Sequence, residues 1–136
     1  MTKENKDILL KYLCMALPYD CMVTIAEGGI DGLQWDNVTL NSYLLYQIEE
    51  EDGLEYIKPY LRPMSSMTEE ESNELESITF PLMEKDWDGN ENPACIRWID
   101  IPKYMDFILS HHFDYQGLIE KGLALEAPGG MYVKLH

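Results

Sequence analysis

Seven residues in the second half of the chain have the composition of a calcium-binding loop. Residues 86–92, of sequence DWDGNEN, place Asp86, Asp88 and Asn90 at the first, third and fifth positions of an EF-hand loop. The remaining positions do not match, because the sixth is not Gly and the twelfth, where a bidentate Glu is needed, is Arg97. The pattern therefore favours a solvated surface loop, and we predict no metal-binding residues.

A pair of histidines offers a second possible chemistry. His111 and His112 lie between Asp106 and Asp114, so they could form a metal or acid/base cluster. Adjacent residues at a helix end point about 100° apart, and neither histidine has a partner four residues away. Histidines that interact with the helix dipole are the simpler interpretation. The enzymatic alternative is a metal-dependent hydrolase built from Asp86, Asp88, His111 and His112.

The three cysteines do not indicate a catalytic site. Cys14, Cys21 and Cys95 form no CxxC pair and leave one thiol unpaired in any disulfide scheme, which is typical of a reducing compartment. Cys14 lies in an amphipathic helical pattern and Cys21 in a strand pattern, where free Cys behaves as a small hydrophobe. The chain also lacks a GxGxxG, a P-loop, a nucleophile elbow and a spaced Cys/His zinc set. We predict a protein that is not an enzyme, with no catalytic or cofactor-binding residues and no cofactor.

Negative charge is concentrated in the middle of the chain. Residues 49–91 contain fourteen acidic and three basic residues, a local charge of −11, whereas residues 101–136 have a charge of −1. This field repels nucleic acid and anionic lipid and favours a cationic protein partner, or serves solubility alone. The partner-binding residues that we predict are Glu49, Glu50, Glu51, Glu69, Glu70, Glu71 and Glu74.

The first half of the chain changes from helical to strand periodicity. Residues 6–17 have apolar residues at helical spacing, and Pro18 is expected to end that helix. Residues 21–26, 33–35, 38–40, 42–48 and 54–57 read as short strands separated by Gly28-Gly29, Asp31-Gly32 and other turn signals. Such short strands favour a small, strongly bent sheet, with an SH3-like barrel as the preferred geometry.

Residues 57–71, which we call the proline segment, separate the strands from helices. Pro59 and Pro63 each remove a backbone donor, so we expect this segment to lie outside any central strand. Thr68 and Glu71 have the spacing of a capping box and predict a helix that begins at residue 69. Because this helix contains few apolar residues, we expect it to be largely exposed.

The C-terminal third predicts a helix, a turn, a helix and a β-hairpin. Asp100 or Ile101 caps the first helix, which ends near His112, and Asp114 caps a second helix that ends before Gly122. Residues 123–127 and 131–135 flank Pro128-Gly129-Gly130 as a hairpin. This order raises nucleic-acid binding through residues 102–135 as an alternative function, although the second helix lacks the basic face that phosphate contacts need.

These patterns predict an α+β fold in a single domain over residues 1–136. Its parts are an N-terminal helix, the bent antiparallel sheet, further helices, and the helix–turn–helix with its hairpin. We expect a β-rich lobe over residues 1–63 and a helical lobe over residues 64–136. With no apolar run long enough to span a membrane and no cleavable N-terminal signal, we expect a cytoplasmic protein.

Three segments carry a resemblance to known sequences: residues 58–71 (KPYLRPMSSMTEEE), residues 111–128 (HHFDYQGLIEKGLALEAP) and the initial helix over residues 9–19. They resemble a group of small hypothetical proteins encoded by prophages and mobile elements of gut anaerobes. The resemblance implies a mobile-element accessory protein and brings no known activity. The function that we expect is macromolecular interaction through the acidic residues 49–91.

Overall fold

The fold is α+β, as the sequence predicts. The computed structural model describes residues 1–30, 32–50, 53–85 and 91–132, with the side chains of residues 50 and 79–99 not described. The helices are α1 (Lys3–Ala16), α2 (Ser42–Glu50), α3 (Glu69–Ile78) and α4 (Ile101–Ser110). The strands are β1 (Met22–Ile30), β2 (Leu33–Thr39), β3 (Ile57–Leu61), β4 (Thr79–Lys85), β5 (Glu91–Ile99) and β6 (Leu125–Glu126). Short 3-10 helices cover Leu17–Tyr19, Gly53–Glu55 and Met64–Ser66.

The chain forms two compact units, of which the first takes its residues from both ends of the sequence. This first unit comprises residues 1–65 and 108–136, and the second comprises residues 66–107. The division of the chain into lobes at residue 63 stays a prediction. No described helix has both the length and the apolar character that crossing a membrane requires.

The first unit is built on a mixed sheet of four strands in the order β2-β1-β3-β6. β1 pairs antiparallel with β2 and with β3, whereas β6 pairs parallel with β3. The core includes Leu9 and Leu13 of α1, Val23 and Ile25 of β1, and Leu61 of β3, all with 0% exposure. The amphipathic N-terminal helix is confirmed, and its first turn is capped by Thr2, whose hydroxyl accepts from the Asn5 N–H at 3.1 Å.

The expectation that Pro59 lies outside any central strand is wrong. Pro59 is in β3, between β1 and β6, and is paired with Val23. The Ala26 N–H donates to the Tyr56 carbonyl at 2.8 Å, so in the alternating antiparallel pattern Pro59 occupies a non-hydrogen-bonded position facing away from β1. The pairs of β6 with β3 begin only at Tyr60. Proline is tolerated in this interior strand because its nitrogen, which has no hydrogen to donate, lies where neither β1 nor β6 needs a backbone hydrogen bond.

The strand predicted over residues 42–48 is also wrong, since this segment is helix α2. Asn41 caps it, because its Oδ1 accepts a hydrogen bond from the Leu44 N–H at 2.9 Å. Leu44 and Ile48 are buried four residues apart on one face, while Tyr46 is exposed. The aromatic and aliphatic composition of this segment is typical of a strand. The Asn41 cap and the i, i+4 spacing of the two buried residues are the features that indicate a helix.

Two predicted interruptions of the sheet are β-bulges rather than turns. β1 continues through Gly28, which has a φ of 100°, and β2 continues through Asn37, which has a φ of 52°. The pairing of β1 with β2 shifts register between Val23 and Ile25 and again between Ile25 and Ile30. Residues with left-handed backbone conformations therefore bend the strands locally without ending them.

The second unit contains α3, the β4–β5 hairpin and most of α4. The capping box is confirmed in both directions, since the Thr68 N–H donates to Glu71 Oε1 at 2.9 Å and the Glu71 N–H donates to Thr68 Oγ1 at 3.2 Å. β4 and β5 pair antiparallel and were not predicted as a hairpin. The cap of α4 is confirmed by the Lys103 N–H, which donates to Asp100 Oδ1 at 3.2 Å.

The second helix of the predicted helix–turn–helix is wrong, because residues 114–122 form turns. Asp114 accepts from the Leu118 and Ile119 N–H groups at 2.8 and 3.0 Å, which are four and five residues ahead rather than the two or three of an N-cap. Gly117 and Gly122 have positive φ values of 71° and 73°, and the conformation of Gly117 is incompatible with a continuous helix over these residues. β6, which is part of the first arm of the predicted hairpin, pairs with β3, and residues 133–135 of the second arm lie outside the described residues.

Candidate functional site

The most acidic described surface is helix α3, and it has no buried side. All ten residues of α3 are at least partly exposed, and five of them are glutamates, Glu69, Glu70, Glu71, Glu74 and Glu76. No basic residue occurs between Arg62 and Lys85 along the chain. Since packing of an apolar face contributes little to this helix, the capping box and the acids in its first turn stabilise it.

The other predicted partner-binding glutamates lie at the end of α2, in the first unit. Glu49 is exposed, Glu50 is the last residue of the helix, and Glu51 lies outside the described residues. α2 has no basic residue in its last turn, so these acids stand at the negative end of the helix dipole. Acids at that position are unfavourable by up to about 1 kcal/mol.

A groove of about 540 Å3 lies between β2 and the beginning of α2. Ile30 and Leu44 line it and are nearly buried, with exposures of 2% and 7%. Trp35 and Tyr43 also line it and are 37% and 61% exposed. The groove thus combines an apolar floor with two accessible aromatic rings, and sequence reasoning missed it because Tyr43 was assigned to a strand.

The position of Trp35 in the sheet explains why an aromatic ring is exposed there. Trp35 is the cross-strand partner of Ile25, so both side chains lie on the same face of the sheet, and Ile25 has 0% exposure. β2 is an edge strand, and no described strand pairs with its outer side. The apolar face of the sheet therefore continues from the core to the edge, where its last members are accessible to solvent.

A second group of polar side chains is buried where β1, β3 and the C-terminal segment meet. The Tyr132 hydroxyl accepts from the Met22 N–H at 2.8 Å and donates to the Tyr60 carbonyl at 2.8 Å. The Tyr132 ring stacks on His112, with ring centroids 3.8 Å apart. One side chain thus joins the beginning of β1 to the end of β3 at the point where direct pairing between them stops.

Burial makes the ionisable groups of this polar cluster unreactive. The pKa of the Cys21 thiol is raised to about 12, chiefly because burial disfavours the thiolate. Burial likewise raises the pKa values of the Tyr12 and Tyr132 hydroxyls. These three groups therefore do not have the near-neutral pKa that a nucleophile or general base needs.

The two histidines take different roles at the end of α4. His112 is 6% exposed and has a φ of 61°, and its N–H donates to the Leu109 carbonyl at 3.2 Å. The Phe113 N–H donates to the Ile108 carbonyl at 3.0 Å, which completes a Schellman motif. His111 stacks instead on Phe113, with ring centroids 6.1 Å apart. The prediction that the helix ends at these histidines is confirmed.

The structure describes only two of the four residues of the enzymatic alternative, His111 and His112. Asp86 and Asp88, together with the calcium-loop pattern, lie outside the described residues. Over the part of the chain that is described, no three His, Cys, Asp or Glu side chains lie close enough together to hold a metal ion. Cys14 is exposed and Cys21 is buried, and both are free thiols.

Comparison with known proteins adds no relative. No protein-family model matches the chain, no curated protein is significantly similar to its sequence, and no solved structure is significantly similar to its fold.

Proposed function

We propose that this protein is a non-enzymatic accessory module of a mobile element, which acts in the cytoplasm by binding a cationic protein. The single observation that carries the proposal is helix α3, whose ten residues are all at least partly exposed and include five glutamates and no base. Because no residue of this helix is buried, another molecule can reach its surface. A basic partner would be attracted to that negative field.

The acids at the end of α2 give independent support. Glu49 and Glu50 are placed where the helix dipole disfavours them, so they do not serve the stability of the helix. A bound cation would offset that cost. The free state of Cys14 and Cys21 is in keeping with a reducing compartment, and the resemblance of three segments to prophage-encoded proteins suggested the mobile-element origin.

Charge reversal on α3 tests the proposal with octalysine as a defined cationic probe. We expect the triple variant Glu69→Lys, Glu70→Lys, Glu74→Lys to bind octalysine at least tenfold more weakly in calorimetry at low salt. The matched control is Asp7→Lys, Glu120→Lys, Glu126→Lys, which makes the same change in net charge at three exposed acids that are not part of α3. It should keep its affinity within about twofold.

Two results would contradict the proposal. Equal losses of octalysine affinity in the test and control variants would mean that binding depends only on the total charge of the protein. Absence of binding by the unaltered protein at low salt would mean that the acidic surface serves solubility. Octaglutamate, a probe of opposite charge to octalysine, should not bind to the unaltered protein.

A further inference from the structure

We infer that the groove between β2 and α2 is a binding site for an arginine side chain of a basic partner protein. The inference rests on the proposed function for the class of partner, but it uses a different surface and different physical forces. Trp35 and Tyr43 supply aromatic faces, and Ile30 and Leu44 supply an apolar floor. A guanidinium group is flat, stacks on aromatic rings and is less strongly hydrated than an ammonium group.

The net charge of the segments that build the groove favours a cation over an anion, although the residues that line it are uncharged. Residues 21–50, which form β1, β2 and α2, contain five acidic residues and no lysine, arginine or histidine. Asp36 follows Trp35 on this edge strand, with its side chain on the opposite face of the sheet, where its described hydrogen bonds come only from the neutral groups Thr24 Oγ1 and Gln34 Nε2, each at 3.2 Å. Its negative charge is therefore not offset by a described cation. A carboxylate or phosphate in the groove would meet repulsion, whereas an arginine would meet attraction over the 8–10 Å range of electrostatic screening.

The groove is large enough to take an extended side chain. Its volume of about 540 Å3 lies within the range of roughly 300–1,000 Å3 that is usual for ligand sites. Asn41 lines the groove, but its side-chain oxygen already caps α2 through the Leu44 N–H. Recognition thus depends on the rings, and the aliphatic stem of the arginine can lie on the apolar floor.

The test measures how tightly octa-arginine and octalysine bind to variants whose substitutions do not change the charge of the protein. We expect Trp35→Ala and Tyr43→Ala each to weaken octa-arginine binding about tenfold in fluorescence anisotropy, because each removes a cation–π contact. Tyr46→Ala is the matched control, since Tyr46 is an exposed tyrosine of the same helix and does not line the groove. It should change the affinity less than twofold.

Further variants separate loss of the contact from loss of the fold. Trp35→Phe keeps an aromatic ring and should bind octa-arginine more tightly than Trp35→Ala. If Trp35→Ala does not fold, as judged by circular dichroism, Tyr43→Ala decides the question, because Tyr43 is 61% exposed and contributes little to packing. Octalysine should lose less affinity than octa-arginine in both alanine variants.

The outcomes distinguish this inference from the proposed function. If both alanine variants bind octa-arginine as tightly as the unaltered protein, the inference about the groove is wrong. If reversal of the α3 charges weakens octa-arginine binding in the same assay, the proposed function is still supported. A loss in the groove variants without a loss in the α3 variant supports the groove and overturns the role of α3. Equal losses for octa-arginine and octalysine overturn the assignment to arginine. If the unaltered protein binds neither peptide at low salt, both proposals fail.

Discussion

At the residue scale, Tyr132 shows how one hydroxyl can replace a pair of strand hydrogen bonds. Its donor and acceptor partners, the Tyr60 carbonyl and the Met22 N–H, belong to different strands and are both part-buried. Its ring covers His112, whose left-handed conformation ends α4. The C-terminal segment is thereby attached to the sheet through a side chain, in addition to the short parallel pairing of β6.

Substitution of Tyr132 by Phe tests this role. The ring would remain, but the Met22 N–H and the Tyr60 carbonyl would lose their partner, so we expect a loss of about 1–3 kcal/mol in the free energy of unfolding. Urea unfolding followed by circular dichroism measures it. The control is Tyr43→Phe, which removes a hydroxyl from a ring that is 61% exposed and should change stability little. Equal effects of the two substitutions would exclude a special role for Tyr132.

The thiols give a second prediction at this scale, from exposure and pH. Because the pKa of Cys21 is about 12, its thiol stays protonated at pH 7 and at pH 9. In a Cys95→Ser variant, we expect the native protein at pH 9 to expose one thiol to a disulfide reagent, that of Cys14. Both thiols should react in urea. Rapid reaction of two thiols in the native protein would contradict the burial of Cys21.

At the element scale, α3 differs from the other helices of the described chain in what stabilises it. A helix of ten residues without a buried face depends on its ends, and both hydrogen bonds of its capping box are present. α2, which is one residue shorter, has Leu44 and Ile48 buried on one face. The same kind of change at a cap should therefore have a clearer local effect in α3.

Thr68→Ala tests the dependence of α3 on its cap. We expect a loss of about 1 kcal/mol in the local stability of the helix, seen as faster hydrogen exchange of its backbone amides. Ser72→Ala is the control, because Ser72 is exposed within the helix, where alanine has the better helix propensity. Its exchange should be unchanged or slower. Unaltered exchange in the Thr68 variant would show that contacts other than the cap hold α3.

At the scale of the whole molecule, the formal charge of −15 opposes compactness. Salt screens repulsion among these charges, so we expect the melting temperature to rise by roughly 3–5 °C between about 20 and 200 mM NaCl. Differential scanning calorimetry measures the rise. It should be smaller in a Glu69→Gln, Glu70→Gln, Glu74→Gln variant, which has three fewer negative charges. A melting temperature that falls with salt would mean that attractive ion pairs outweigh the repulsion.

The features that could be predicted from sequence are those whose causes lie within one or two helical turns. Thr68 and Glu71 specify the beginning of α3, Asp100 the beginning of α4, and the amphipathic spacing of residues 6–17 the first helix. In each case the donor and acceptor, or the apolar residues of one face, are close together in the chain. Local signals were incomplete where two of them competed, as in residues 114–122, where the positive φ of Gly117 is incompatible with the helix that Asp114 was expected to cap.

Only the tertiary structure decided which segments pair and which faces stay exposed. Pro59 could enter β3 because its partner Val23 and the short β6 leave its nitrogen without a ladder, and none of these is near it in sequence. The Tyr132 hydroxyl accepts a hydrogen bond from the Met22 N–H, which is 110 positions away in the chain. The groove likewise exists because the edge of the sheet and α2 meet with Trp35 and Tyr43 still accessible. Composition determined that the protein is acidic and folded, whereas long-range packing determined which apolar and aromatic side chains remain exposed.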